Sequence, residues 1–178
     1  MMTFSEAQKD MRHAYVDGAT GVITSATVWL LAAITAWQAT PNTAIATLLI
    51  GGMFIFPLSV ALSKLLGRSG VHSKQNPLAP LATAVTLWML LAIPIAYAAS
   101  LHKIEWFFPA MLLTIGGRYL TFSTLYGLRI YDVCGATLSL AAIACVLLKM
   151  PIYIGAIAGA LIEYIFGFLI LLKARRGS

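Results

Sequence analysis

Residues Pro151–Leu172 read PIYIGAIAGALIEYIFGFLILL. The run holds a single charged residue, Glu163. It is long enough to cross the roughly 30 Å hydrocarbon core of a bilayer as one α-helix. Gly155, Gly159, Glu163 and Gly167 recur in steps of four, so they share one helix face. Glycines at that spacing let a second backbone approach closely. The carboxylate is therefore expected on a packing face and not towards lipid.

Five more segments of the same kind lie upstream. The expected spans are 17–39, 43–65, 77–100, 105–127, 132–148 and 151–172, after an N-terminal tail (1–16) and before a basic tail (173–178). Composition agrees: 60% of the residues are apolar and 10% charged, against about 25% charged in soluble domains. So few charges cannot clothe a soluble globule of this size. That excludes a cytosolic enzyme, a nucleic-acid-binding domain and a disordered chain. The fold class read from the sequence is all-α: a polytopic membrane protein, one bundle of six transmembrane helices.

The breaks between spans have local causes. Pro41-Asn42-Thr43 makes a turn ending in a candidate N-cap, and Asn76-Pro77 reads as an N-cap followed by proline at the first helical position. Asp132 is placed to cap the fifth span. Four of the five links are short, which makes successive helices antiparallel neighbours. The exception is Gly67–Asn76. Pro57 and Pro94 fall inside spans and read as kinks. Trp29 and Trp88 lie near mid-depth and read as core packing. Cys134 and Cys145, roughly 16 Å apart on one helix, are too distant for a disulfide.

Lys and Arg set the orientation. Nine of them, from Lys9 and Arg12 through Lys64, Arg68, Lys74 and Arg129 to Lys173, Arg175 and Arg176, fall on the side of the N-terminus. Only Lys103 and Lys149 fall on the other. By the positive-inside rule both termini are cytoplasmic. The same assignment gathers Trp37, Tyr97, Trp106 and Tyr153 at the outer interface, where aromatic belts form. The implied setting is a cell inner membrane, crossed several times. The partners implied are the lipid bilayer and, at the cytoplasmic face, anionic headgroups. The net charge of +6 is then no nucleic-acid signal.

Arg118 and Glu163 are the charges this assignment leaves inside the bilayer. Both lie about 18–20 Å below the outer surface. An unpaired charge there costs about 2.5–3.5 kcal/mol even on lenient insertion scales. The two are therefore expected to face each other, as an ion pair or as a ligand site in a shared cavity. Asp17, Thr20, Thr24 and Thr27 on span one form a polar stripe, as do Thr83 and Thr86 on span three and Thr114 and Thr121 on span four. Span two adds Ser59 and Ser63. These are candidate cavity-lining residues; the alternative is that they only glue helices together. A further cluster of Asp17, Arg129 and Asp132 near the inner surface reads most simply as capping and anchoring.

Other chemistry is not signalled. His13, His72 and His102 lie in tails or loops without ligand spacing, so no metal or cofactor is expected. No nucleophile-base motif, P-loop or dinucleotide fingerprint occurs. LLIGGMF at 48–54 and LTIGGRY at 113–119 hint at duplicated helical hairpins.

Ser73-Lys74-Gln75-Asn76-Pro77-Leu78, Phe56-Pro57-Leu58 leading to Ser63-Lys64, and Gly116-Gly117-Arg118-Tyr119-Leu120 followed by Phe122 resemble an uncharacterised family of small bacterial multi-span membrane proteins. The resemblance covers most of the chain and implies an integral membrane protein without an assigned activity. It also implies histidine as the usual residue where this chain has Arg118, and a fixed cation suits an anionic ligand better than a proton relay. Two functional readings stand. The first is a transporter or channel-like protein for a small solute or ion, centred on Arg118 and Glu163, with a homodimer as one way to complete a pathway. The second is a non-transporting lipid- or partner-binding protein; a membrane-embedded enzyme comes last.

Overall fold

The computed structural model describes residues 2–176. Seven α-helices follow in order: α1 Phe4–Tyr15, α2 Ala19–Gln38, α3 Pro41–Leu65, α4 Ala79–His102, α5 Phe107–Tyr126, α6 Ile130–Leu147 and α7 Ile152–Arg176. Short 3-10 turns, Val16–Gly18 and Ile104–Trp106, precede α2 and α5. No strand occurs among the described residues. Five helical segments are long and apolar enough to cross a membrane, with α1 and α2 counted as one. The twenty-residue α5 is the exception. Arg118, three threonines and paired glycines lower its hydropathy.

The N-terminal tail is largely a helix. The Thr3 side chain accepts from the Glu6 amide, and the Glu6 side chain accepts from the Thr3 amide, which satisfies donors that a helix start leaves orphaned. Those hydrogen bonds hold the Glu6 carboxyl below the usual carboxylate range. Ala7, Met11 and Ala14 make the buried stripe. The helix ends at Val16 and Asp17, both with positive φ (53° and 57°). For Val16 this left-handed backbone costs on the order of 1–2 kcal/mol. Tyr131 of α6 donates its hydroxyl to the Asp17 carbonyl at 2.7 Å, which pins the break to the bundle. The basic tail is the last turn of α7 as far as Arg176; residues 177–178 of that expected segment lie outside the described residues.

Three caps differ from those expected. Thr40, not Thr43, is the N-cap of α3: the Thr43 amide donates to Thr40 Oγ1 at 3.2 Å, with Pro41 behind it. Asn76 lies two residues ahead of Leu78, the N-cap of α4. Its Oδ1 accepts from the Leu78 amide at 2.8 Å, capping the turn before the helix, while its Nδ2 donates to the Ala7 carbonyl at 3.0 Å and to Asp10 Oδ2 at 2.7 Å of α1. Asp132 falls in the first turn of α6, where it complements the helix dipole without capping.

Helix packing follows the glycines. A Cβ on Gly159 would lie 2.5 Å from Trp29 Cε3, and one on Gly167 would lie 2.8 Å from Ile23 Cγ1. Gly155 abuts Phe108 in the same way. The glycine face of α7 is thus spent inside the molecule, on α2 and α5. Gly116 and Gly135 bring α5 against α6 so closely that a Cβ on Gly135 would lie 2.5 Å from the Gly116 carbonyl oxygen. Gly51 of α3 faces Val28 of α2. The two similar heptapeptides therefore use their first glycine against different neighbours, and the packing does not repeat.

The helices form an open ring. α3 packs on α2, α2 on α7, α7 on α5 and α6, α6 on α5, and α5 on α4. α3 and α4, joined by the long link, stand apart, so the ring has a gap there. α1 lies across one end. Its Gln8 Nε2 donates to the Thr124 carbonyl at 2.7 Å, and the Gly70 amide donates to the Ala14 carbonyl at 3.1 Å. Large side chains of α3 and α4 face outwards, among them Phe56, Trp88 and Ile95. Trp88, expected in the core, is 65% exposed, whereas Trp29 is 1% exposed.

Candidate functional site

Glu163 lies fully buried in the interior of the bundle, where α7 meets α2. Tyr119 of α5 donates its hydroxyl to Glu163 Oε1 at 2.7 Å. The second oxygen, Oε2, has no hydrogen-bond partner. The expected Arg118–Glu163 ion pair is not formed among the described residues. Arg118 and Tyr119 are consecutive on α5 and so diverge by about 100° around its axis. Tyr119 takes the direction of α7. Arg118 turns towards α4, donating from Nη1 to Met89 Sδ at 3.2 Å. Its guanidinium also lies 5.0 Å from the centre of the Phe122 ring, a cation–π contact. The Nε atom is buried and has no partner. A thioether and a ring face are weak compensation for a guanidinium.

Arg118 and Tyr119 line a cleft of about 440 Å³. Its walls come from one half of four helices: residues 20–25 of α2 with Gly18 just before it, 55–59 of α3, 79–89 of α4 and 115–126 of α5. Met11, Tyr15 and His72 contribute from α1 and the link. Tyr15 Oη and His72 Nδ1 are 2.8 Å apart, and burial pushes the Tyr15 phenol above its ordinary value. The other half of the bundle is filled by Trp29, Phe107, Phe108, Leu112 and Leu138, each at most 1% exposed. The cleft is therefore one-ended, and it lies where α3 and α4 fail to meet.

Of the expected cavity residues, Thr20, Ser59, Thr83 and Thr86 line this cleft. Thr20 also shares a hydrogen bond at 2.8 Å with Ser63, which does not line it. The other five lie elsewhere. Thr24 donates to the Thr20 carbonyl, and exposed Thr27 pairs with Tyr164 Oη at 2.9 Å. Thr114 and Thr121 donate to carbonyls of α5, Ala110 and Gly117. Asp17 sits in the α1–α2 break. It makes no ion pair with Arg129 among the described residues. Hydroxyls bonded to a carbonyl of their own helix are satisfied locally and bridge no second helix.

Several members were not foreseen. Tyr119 adjoins Arg118 in the Gly-Gly-Arg-Tyr run, and a tyrosine buried in an apolar segment needs an acceptor, which was the available signal. Phe122, Tyr126 and Tyr131 stack around it, with ring centres 5.4–5.9 Å apart. Met89 and His72 carried no signal. Among the described residues no group of His, Cys, Asp and Glu is arranged to hold a metal. Both cysteines are buried and free.

No curated protein and no solved structure matches this chain. A family model does: residues 4–173 match a family of unknown function, DUF7010, and the chain belongs to that family.

Proposed function

We propose that this is a multi-pass protein of a cell inner membrane, a six-helix bundle with both termini cytoplasmic, that binds a small amphiphile taken laterally from the bilayer. The observation that carries this reading is the gap between α3 and α4, with a one-ended cleft behind it. About 440 Å³ falls in the range of about 300–1,000 Å³ typical of ligand sites. The lips, Phe56 and Leu87, are apolar and exposed, which suits a molecule arriving from lipid. Binding is favoured over conduction because the half of the bundle away from α1 is packed with buried aromatic and leucine side chains. For the sixth span, α5 has twenty residues, a length between those of α6 and α4, despite its polarity. For the orientation, the nine-to-two distribution of Lys and Arg is the support. A second copy, if one docks, must use a face other than the glycine face of α7.

The test is photolabelling of the purified chain in phosphatidylcholine vesicles with a diazirine-bearing monoacylglycerol. Labelling concentrated on the cleft segments of α2, α3, α4 and α5, and lost on Thr86→Trp, is the expected result. Label spread evenly over the outer faces of α3 and α4 would overturn the reading. Reporter fusions at Ser69, Lys103 and Lys149 check the orientation independently.

A further inference from the structure

The polar groups of the cleft are unevenly provided for. Thr83 and Thr86 donate their hydroxyl hydrogens to the Ala79 and Ala82 carbonyls, and Ser59 donates to the Phe56 carbonyl. Tyr119 is committed to Glu163. Arg118 is the one cleft residue with a fixed charge, and it meets only a thioether and a ring face, with Nε unpartnered. Glu163 does not line the cleft. An occupant therefore meets a cation with no carboxylate in salt-bridge contact, beside hydroxyls of which those of Ser59, Thr83, Thr86 and Tyr119 already donate elsewhere. Desolvating such a cation is costly unless an anion arrives with the occupant. A guanidinium is the side chain best matched to carboxylate and phosphate oxygens.

Size narrows the occupant. About 440 Å³ holds about fifteen groups the size of a water, each about 30 Å³, and a methylene is of similar bulk. That accommodates one acyl tail with a small headgroup, not two tails.

Resting on the reading of the cleft as an amphiphile site, we propose that the occupant is a single-tailed anionic amphiphile, its carboxylate or phosphate held by Arg118 and its tail leaving between α3 and α4. The experiment is calorimetric titration of the full chain in phosphatidylcholine nanodiscs with laurate, dodecyl phosphate and neutral monolaurin, empty nanodiscs serving as the partition blank. The anionic probes should bind at least about tenfold more tightly than monolaurin, the scale of one charge-assisted hydrogen bond. Comparison of laurate with dodecyl phosphate separates the carboxylate source from the phosphate source. Arg118→Gln should reduce the anionic probes to the level of monolaurin, while Arg118→Lys keeps part of the preference. Equal affinity of all three for the unaltered chain, or a preference that survives Arg118→Gln, overturns the proposal and leaves the cleft reading standing. Failure of all three to bind the unaltered chain overturns the cleft reading itself. Should Arg118→Gln not fold, Thr86→Trp decides, because it occupies the cleft and keeps the arginine. An anionic preference that persists there places the anion elsewhere and refutes the proposal.

Discussion

Glu163 is expected to be coupled to Tyr119 and not to Arg118, and double-mutant cycles can measure this. The first cycle combines Tyr119→Phe with Glu163→Gln. Tyr119→Phe removes one oxygen from a residue that is 4% exposed, and the ring keeps its place among Phe122 and Tyr131. What is lost is the 2.7 Å hydrogen bond to Oε1, which leaves Ser25 of α2 as the hydroxyl beside the carboxyl. Hydrogen bonds to charged groups contribute about 1.5–3 kcal/mol in soluble proteins. Measured couplings between membrane helices average about 0.6 and reach about 1.7 kcal/mol. Full burial argues for the upper part of the membrane range, so the Tyr119–Glu163 coupling should be about 1–2 kcal/mol. The second cycle combines Arg118→Gln with Glu163→Gln. With no ion pair between them, its coupling should stay below about 0.5 kcal/mol. Exchanging the two charges should likewise fail to restore stability. The assay is equilibrium unfolding in mixed micelles titrated with dodecyl sulfate. A larger coupling in the second cycle than in the first would refute the reasoning.

Three further outcomes are expected. Gly159→Ala puts a Cβ 2.5 Å from the ring of buried Trp29, whereas at Gly117 nothing lies within 4 Å. Overpacking should make Gly159→Ala less stable than Gly117→Ala by about 1–3 kcal/mol in the same unfolding assay, and equal midpoints would count against the α2–α7 contact. The carboxyl of Glu6 is held below its ordinary value by Thr3. The cap's contribution is therefore present above the unfolded-state value and disappears as pH falls through the lower folded-state value. Amide exchange in α1 should quicken over that acidic window, and Glu6→Gln should flatten the response. Tyr131→Phe removes the donor to the Asp17 carbonyl, and a loss of about 1 kcal/mol with faster exchange at the α1–α2 break is expected. Unchanged exchange there would show that the latch is idle.

The helices were legible because their signal is one-dimensional. Long apolar runs bounded by Pro, Asn and Gly leave few alternatives, and the long helices occupy those runs. α1 was legible too, in the Thr3-x-x-Glu6 box and the Ala7, Met11, Ala14 spacing, but its polar composition reads as a tail. The site was legible only in depth. Counting residues places Arg118 and Glu163 at one level, yet level does not determine azimuth. One residue further along α5 turns the side chain by about 100°, and that step exchanges Arg118 for Tyr119 as the partner of Glu163. Which threonines reach the cleft depends on the separation of α3 from α4. That separation is a tertiary fact, with a long link as its only local trace. Gly159 on the glycine face of α7 meets Trp29 of α2, a partner at the other end of the chain that no local pattern names.

That last pairing has a consequence for biogenesis. α2 and α7, far apart along the chain, form the most extensive helix pair of the bundle. Until α7 is inserted, Trp29 and Ile23 wait without the glycines that receive them. Tyr119 waits without the carboxyl it serves. The hairpins α2–α3 and α5–α6 have extensive contacts of their own, but the ring is joined through α2 and α5 only once α7 is in place. Any truncation that removes α7 should therefore leave not a smaller stable bundle but an unfinished one, exposed to quality control.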